Sequence, residues 1–214
     1  MIHPIEAESF RILHGRVDLS AWPHPDREVV ARVVHASADV EYASTMWASP
    51  GAVEAGVVAL RSGAPVVTDV EMVRHGITAV TACCHLSDSP TFVHEAPYVG
   101  PSCTKVGGEG LTRAARGIRA AARSHPVGAV VVVGCAPTAL VEVVRLAEEG
   151  RLRPALVVGM PVGFVGAAEA KAALSASGLP AIGNTGEKGG SAVAAAALNA
   201  MARLAGGLGE EGRS

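Results

Sequence analysis

Apolar residues spaced three and four positions apart recur in the first third of the chain and predict helices there. A first helix is expected over residues 4–13, and a second from Asp26 through His35. A third is expected directly after Ser49-Pro50, which suit the N-cap and the first helical position. The N-terminal part, 1–63, is therefore predicted to be helical.

Beyond residue 63 the pattern changes to short apolar runs that lead into helical segments. Strands are predicted at 65–69, 80–84, 127–133, 155–159 and 179–183. Continuous valine-rich runs are typical of parallel strands buried on both faces, with the connecting helices covering those faces. We predict an α/β fold: a three-layer, doubly wound, mainly parallel five-stranded sheet with helices on both faces. This core spans 64–205, and the helical N-terminal part belongs to the same domain.

Two segments show neither pattern. Residues 86–110 are rich in Ser, Pro, Thr and Gly and form the longest predicted loop, a candidate for a mobile segment over a site. The tail, 206–214, is polar and glycine-rich and is expected to fray.

A length of 214 residues suits one domain, 1–214, with a sizeable core.

Composition narrows the class of protein. Hydrophobic residues make up 49% and charged residues only 18%, so we expect a partner to cover part of the surface, which favours an oligomer. A net charge of -2 gives no basic footprint for nucleic acid. No apolar run is long enough to span a bilayer, and the N-terminus lacks the pattern of a signal peptide. The expected location is the cytoplasm.

The four cysteines match neither a zinc site nor a disulfide framework. Cys83 and Cys84 are adjacent, Cys103 and Cys135 stand alone, and no CxxC spacing occurs. We therefore expect reduced, buried thiols and no metal site.

The candidate chemistry begins on the predicted second helix, where Arg32, His35 and Asp39 fall on one face. A carboxylate one turn from His35 can fix its tautomer and raise its pKa, as a proton-transferring group requires. Arg32 offers a planar fork of donors that suits a carboxylate or a phosphate. An ordinary polar helix face with an i,i+4 His-Asp contact has the same spacing, and spacing alone does not separate the two.

Basic residues recur along the helix predicted after Thr112. Arg113 and Arg116 are three positions apart and can form a basic stripe, although a solvated face has the same pattern. Glu169 and Lys171, on a later helix, are weaker candidates because exposed helix charges usually lie outside a site.

Glycines follow the predicted strands, where main-chain amides at helix N-termini could approach an anion. They are Gly134, Gly159, Gly163 and Gly166, with Gly189-Gly190-Ser191 after the last strand. Their order is neither the dinucleotide G-x-G-x-x-G nor a P-loop, and no G-x-S-x-G nucleophile elbow occurs. The Gly189-Gly190 segment is either an amide nest for a carboxylate or a plain strand-to-helix turn.

Several of these runs together resemble the precorrin-8X methylmutase family of cobalamin biosynthesis. The resemblance is carried by Cys135-Ala136-Pro137-Thr138-Ala139-Leu140, residues 159–171 and Gly189-Gly190-Ser191. Further matches in the same order are Pro4-Ile5-Glu6 with Ser9-Phe10, Arg32-Val33-Val34-His35, residues 69–73 and Thr112-Arg113. The resemblance covers about Pro4 to Leu204.

The resemblance implies an isomerase that moves a methyl group from C-11 to C-12 of precorrin-8X or cobalt-precorrin-8, giving hydrogenobyrinic or cobyrinic acid. It implies no cofactor, a polycarboxylate tetrapyrrole as substrate, and a homodimer. By resemblance, His35 is the proton donor or acceptor, Ser9 and Arg32 contact the substrate, and Arg113 is a further contact. Arg116 and the amides near Gly134, Gly159, Gly163 and Gly189-Gly190-Ser191 would hold carboxylates. The role of Asp39 as orienter of His35 rests on spacing alone.

The chain departs from the family pattern at two positions. Cys135 stands where the family commonly has Asn, and Ala114 where Ser often follows the Thr-Arg pair. Each change removes a side chain that can hydrogen-bond, and we expect altered contacts rather than lost activity.

Two alternative functions remain. One is a corrinoid-binding or delivery protein without chemistry. The other is an unrelated hydrolase-like enzyme or nucleotide binder, which the missing nucleophile elbow and P-loop disfavour.

Overall fold

A computed structural model describes residues 3–80 and 111–206. In these ranges the chain forms nine helices and five strands. The helices are α1 (Pro4–His14), α2 (Asp26–Ser37), α3 (Tyr42–Thr45), α4 (Ala52–Arg61), α5 (Glu71–Gly76), α6 (Arg113–Ser124), α7 (Pro137–Glu148), α8 (Ala167–Ala176) and α9 (Ser191–Ala205). The strands are β1 (Met46–Ala48), β2 (Val66–Thr68), β3 (Val130–Val133), β4 (Leu156–Gly159) and β5 (Ala181–Asn184).

The strands form one sheet in the order β1-β5-β4-β3-β2. Strands β2 to β5 are parallel, with Val130 opposite Leu156 and Val157 opposite Ala181, whereas β1 pairs antiparallel with β5. The predicted α/β fold with a mainly parallel, five-stranded sheet is confirmed. All four parallel strands end at the same edge, which we call the carboxyl edge.

Side chains along the strands alternate between two cores, as the period of a strand requires. In β3, Val130 and Val132 pack into a core shared with α2, α4 and α9. Val131 and Val133 pack into a second core shared with α6, α7 and α8. The predicted three-layer, doubly wound arrangement is therefore confirmed, and α2 and α6 lie on opposite faces of the sheet.

The edge strand β1 was not predicted. Three residues carry too little pattern to be recognised, and β1 depends on pairing with β5, where Trp47 lies opposite Gly183. The strand predicted at 80–84 lies outside the described residues except for Val80, which is not in a strand. The predicted loop at 86–110 and residues 207–214 of the tail also lie outside them.

The predicted start of the third helix is wrong. Its N-cap is Gly51, in the left-handed region at φ 73°, and not Ser49. The reason is that Ser49 continues the pairing with β5. Its amide donates to the carbonyl of Ala181 at 2.8 Å, and its hydroxyl oxygen accepts from the amide of Ala181 at 2.9 Å. Among the described residues, no helix is both long and apolar enough to cross a bilayer.

Candidate active site

His35 faces α1 from the last turn of α2. Its neighbours Val33 and Val34 are buried in the core, which turns the half-buried imidazole towards the first helix. There the hydroxyl oxygen of Ser9 lies 2.9 Å from Nδ1 of His35. The hydroxyl can donate to a bare Nδ1 or accept from a protonated one, so this contact holds the ring by its Nδ1 side in either protonation state and leaves Nε2 as the nitrogen that can act on a ligand. The structure therefore brings together two of the predicted site residues.

An aromatic ring lies beside the same imidazole. The ring of Phe10 stacks on His35 with 4.7 Å between centroids and 7° between planes. The guanidinium carbon of Arg32 lies 4.8 Å from the centroid of Phe10, within the range of a cation–π contact. Phe10 thus contacts both candidate residues of α2.

Two arginines share one carboxylate at this site. Arg32 donates to Glu6 at 2.6 Å, and Arg203 of α9 approaches the same carboxylate oxygen at 3.3 Å. The hydrogen bond from Arg32 lowers the pKa of Glu6, which keeps it ionised. Two cations beside one anion leave a local excess of one positive charge, which suits an anionic ligand.

The surroundings of His35 favour the neutral imidazole in the free protein, because they lower its pKa. Burial lowers the pKa of His35, and the guanidinium of Arg32 lowers it further, while Glu6 opposes the shift. An anion bound nearby would act in the same direction as Glu6 and favour the protonated ring. The protonation of His35 is therefore sensitive to what binds beside it.

The prediction that Asp39 orients His35 is corrected by the structure. Helix α2 ends at Ser37, and Ala38 adopts a left-handed conformation at φ 53°, so Asp39 leaves the helix face that its spacing implied. Its carboxylate accepts a hydrogen bond from Lys188 at 2.7 Å. Ser9 takes the orienting position instead.

The amides after β3 already hold an internal anion. The carboxylate of Asp69 accepts hydrogen bonds from the amides of Gly134, Cys135 and Ala136 at 3.1, 2.9 and 2.7 Å. Burial raises the pKa of Asp69 even against these hydrogen bonds. The expectation that the amide of Gly134 holds a substrate carboxylate is therefore wrong in this structure. Cys135 is exposed, contrary to the expected buried thiol.

Two of the other predicted glycines, Gly159 and Gly189, serve close packing. A β-carbon on Gly159 would lie 2.3 Å from a methyl of Leu174, and one on Gly189 would lie 2.4 Å from the carbonyl of Met160. The amide of Gly190 donates to Met160 and that of Gly163 to Glu187. Since Ser191 is also buried, the segment is a strand-to-helix turn rather than an open amide nest.

A buried lysine holds that turn. Lys171 is only 1% exposed, and its ammonium donates to the carbonyl of Lys188 at 2.6 Å. The amide of Asn184 donates to the same carbonyl at 2.8 Å. Burial lowers the pKa of Lys171 to about 8. The expectation of an exposed helix charge is wrong here.

The turn is tied to the helix that carries His35. Lys188 bonds Asp39 at 2.7 Å and Glu41 at 2.5 Å, just beyond the end of α2. Since Lys188 follows β5, these ion pairs place that end of α2 at the carboxyl edge of the sheet.

Arg113 and Arg116 lie on the other face of the sheet from His35, at the start of α6. The hydroxyls of Thr112 and Thr138 lie 2.7 Å apart, which joins the N-termini of α6 and α7 at the carboxyl edge. Arg113 is exposed and Arg116 half-buried. We call Glu6, Ser9, Phe10, Arg32, His35 and Arg203 the His35 cluster. The structure does not bring Arg113 or Arg116 into contact with this cluster, although the end of α2 and the start of α6 lie near the same edge.

Sequence reasoning did not assign three residues of the cluster, namely Glu6, Phe10 and Arg203. Glu6 and Phe10 stand in the predicted first helix at i, i+4 spacing, with Ser9 on the same side. That spacing could have indicated a shared face. Nothing in the sequence links Arg203 to them. Within residues 3–80 and 111–206, no group of three or more His, Cys, Asp or Glu is arranged to hold a metal ion.

Comparison with known proteins identifies the family. The sequence pattern described as precorrin-8X methylmutase matches residues 4–204. The chain belongs to the precorrin-8X methylmutase family. Members of this family are methyl-shifting isomerases of cobalamin biosynthesis. The contact between Ser9 and His35 therefore occurs in a member of a known class of enzymes.

Individual members of the precorrin-8X methylmutase family match over nearly their whole length. The cobalt-precorrin-8 methylmutase of Priestia megaterium is 39% identical over 203 residues, covering 94% of this chain and 87% of that protein. The precorrin-8X methylmutase of Pseudomonas aeruginosa is 37% identical over 206 residues, covering 92% and 93%. The crystal structure of a precorrin-8X methylmutase from Thermus thermophilus superposes with a TM-score of 0.76 at 37% identity, covering 97% of this chain and all of that one.

Proposed function

We propose that this chain moves a methyl group from C-11 to C-12 of precorrin-8X or cobalt-precorrin-8, with His35 as the proton carrier. The products are hydrogenobyrinic or cobyrinic acid. The observation that carries the proposal is the half-buried imidazole of His35, held at Nδ1 by Ser9 and flanked by Arg32. Such a group can deliver a proton to a conjugated macrocycle and take it back, as an isomerisation without net proton change requires.

The charges around His35 support a polycarboxylate substrate. Glu6 balances only one of its two arginines, so the cluster keeps a positive charge for a carboxylate of the ligand. A bound polyanion also raises the pKa of His35 by its negative charge. The free protein then favours the neutral imidazole, and the bound substrate favours the protonated imidazole, which can polarise the conjugated macrocycle.

The remaining contacts follow from the size of a tetrapyrrole. We infer that Ser9 and Arg32 bind it on the α2 side, and that Arg113 and Arg116 take carboxylates at the same carboxyl edge. Lys188 and Asp39 support this edge from the β5 side. A planar fork of donors matches a carboxylate in two hydrogen bonds, which is why arginine suits this task.

A homodimer is also part of the proposal. Phe164 and Val165, in the turn before α8, are 94% and 88% exposed, which is an unfavourable position for an apolar pair in an isolated chain. We expect light scattering to give the mass of two chains, and Phe164→Asp to shift the mass towards one. A wild-type protein that stays monomeric at high concentration would contradict the proposed homodimer.

We also infer that the enzyme acts in the cytoplasm.

The reaction is tested by incubating the purified protein with precorrin-8X and, separately, with cobalt-precorrin-8. We expect the visible spectrum to change to that of the methyl-shifted corrin with at least one of them, at unchanged molecular mass. A corrinoid-delivery protein is the alternative, which the family does not favour. It would bind the substrate with a spectrum that never proceeds to product, and that result would contradict the proposed activity.

A further inference from the structure

Phe10 touches two groups that the proposed reaction needs. Its ring lies almost parallel to the imidazole of His35, at 4.7 Å and 7°, and 4.8 Å from the guanidinium carbon of Arg32. The preceding residue, Ser9, holds Nδ1 of the same imidazole. Two consecutive residues of α1 therefore fix the ring: Ser9 sets the direction of Nδ1, and Phe10 sets the plane.

The face of an aromatic ring carries negative electrostatic potential and attracts cations. An imidazolium stacked on Phe10 is therefore favoured over the neutral ring. The charged groups that act on His35 are Glu6 from α1, Arg32 on α2 and Arg203 from α9. His14, also on α1, is a titratable neighbour of Phe10, with 6.3 Å between the two ring centroids. The two arginines oppose protonation of His35, and Phe10 offsets part of that effect without adding a charge.

We propose that Phe10 is a positioning residue of the methyl shift, which fixes the plane of the His35 imidazole and favours its protonated form. The inference rests on the proposed function, because the protonated ring matters only if His35 carries the proton. Phe10 acts through His35.

The test separates the shape of Phe10 from its electrostatic potential. Phe10→Leu keeps an apolar side chain and removes the aromatic face, Phe10→Tyr keeps the face, and pentafluorophenylalanine at position 10 keeps the shape but reverses the sign of the potential. The pKa of His35 is followed by NMR titration of the imidazole in the free protein. We expect Phe10→Leu to lower it by about 0.5, pentafluorophenylalanine to lower it further, and Phe10→Tyr to leave it near the wild-type value.

Kinetics with the corrin substrate give the second readout. We expect kcat to fall about tenfold in Phe10→Leu and in the pentafluoro variant with KM within about threefold, while Phe10→Tyr retains kcat. Should Phe10→Leu fail to fold, the comparison of pentafluorophenylalanine with Phe10→Tyr decides the question, since both keep the ring.

Two results distinguish this inference from the function on which it rests. A pentafluoro variant with the wild-type His35 titration and wild-type kcat, in a protein that loses turnover in His35→Ala, would overturn the inference about Phe10 alone. Wild-type turnover in His35→Ala would overturn the proposed role of His35 and, with it, that of Phe10.

Discussion

The hydroxyl oxygen of Ser9 lies 2.9 Å from Nδ1 of His35, across the contact between α1 and α2. These residues are 26 positions apart in the chain, and their meeting depends on how α1 packs on α2. The contact gives Ser9 a defined task, namely to hold the imidazole by Nδ1, which leaves Nε2 as the nitrogen available to a ligand.

Ser9→Ala is expected to lower kcat about tenfold with a smaller change in KM. The imidazole then loses the hydrogen bond that holds it at Nδ1 and is less well positioned for proton transfer. Steady-state kinetics measure the effect, with the exposed Ser124→Ala on α6 as the matched control. Equal kinetics of the two variants would show that the contact has no part in the reaction.

The pH profiles of kcat and kcat/KM should report different pKa values for His35. In the free protein, burial and Arg32 lower the pKa, and kcat/KM reports this state. In the complex, the substrate carboxylates raise it, and kcat reports that state. We therefore expect the protonated form of His35 to persist to higher pH in the kcat profile than in the kcat/KM profile. Identical profiles, or a lower pKa in kcat, would contradict a substrate-favoured protonation.

Asp69→Ala is expected to destabilise the fold by about 3 kcal/mol, because it removes the acceptor of three amides at the start of α7. Urea unfolding followed by tryptophan fluorescence measures the loss. The exposed Asp18→Ala provides the control and should cost under about 0.5 kcal/mol. If the two variants unfold at the same urea concentration, the internal carboxylate does not stabilise this turn.

Lys171 should make stability rise at alkaline pH. Its folded pKa of about 8 is below the ordinary lysine value of about 10.4, so the unfolded chain binds more protons between these values. The unfavourable burial of the ammonium is fully present below pH 8 and is relieved as the pH rises towards 10.4. The free energy of unfolding of the wild type, minus that of Lys171→Met, should therefore increase from pH 7 to pH 10.

Urea unfolding of both proteins at each pH gives this difference, which cancels the titration of groups common to both. Lys171→Arg is the second comparison, since arginine stays charged throughout and should show no alkaline gain of its own. A difference that stays constant or decreases with pH would contradict the lowered pKa.

The sheet was predictable and its antiparallel edge was not. The valine runs of β3 and β4 are buried on both faces, which is the property that the sequence pattern reports. Strand β1 has three residues, and its conformation is imposed by β5. Local pattern fails where pairing decides the structure.

The part of the site that lies on one helix face could be predicted from the sequence. Arg32 and His35 share a face as their spacing requires, but the left-handed Ala38 ends α2 before Asp39. The glycine turns were recognised as turns. The group bound at the Gly134 turn was not predicted, since Asp69 lies 65 positions before Gly134 and no local pattern joins the two.

His35 as the proton carrier is tested by a single-turnover measurement of the methyl shift in His35→Ala. The exposed His75→Ala on α5 is the matched control, because it removes the same side chain away from the cluster. We predict that His35→Ala still binds the corrin precursor but converts it at least about a hundredfold more slowly, while His75→Ala matches the wild type. Conversion at the wild-type rate in His35→Ala would contradict the assignment of the proton carrier.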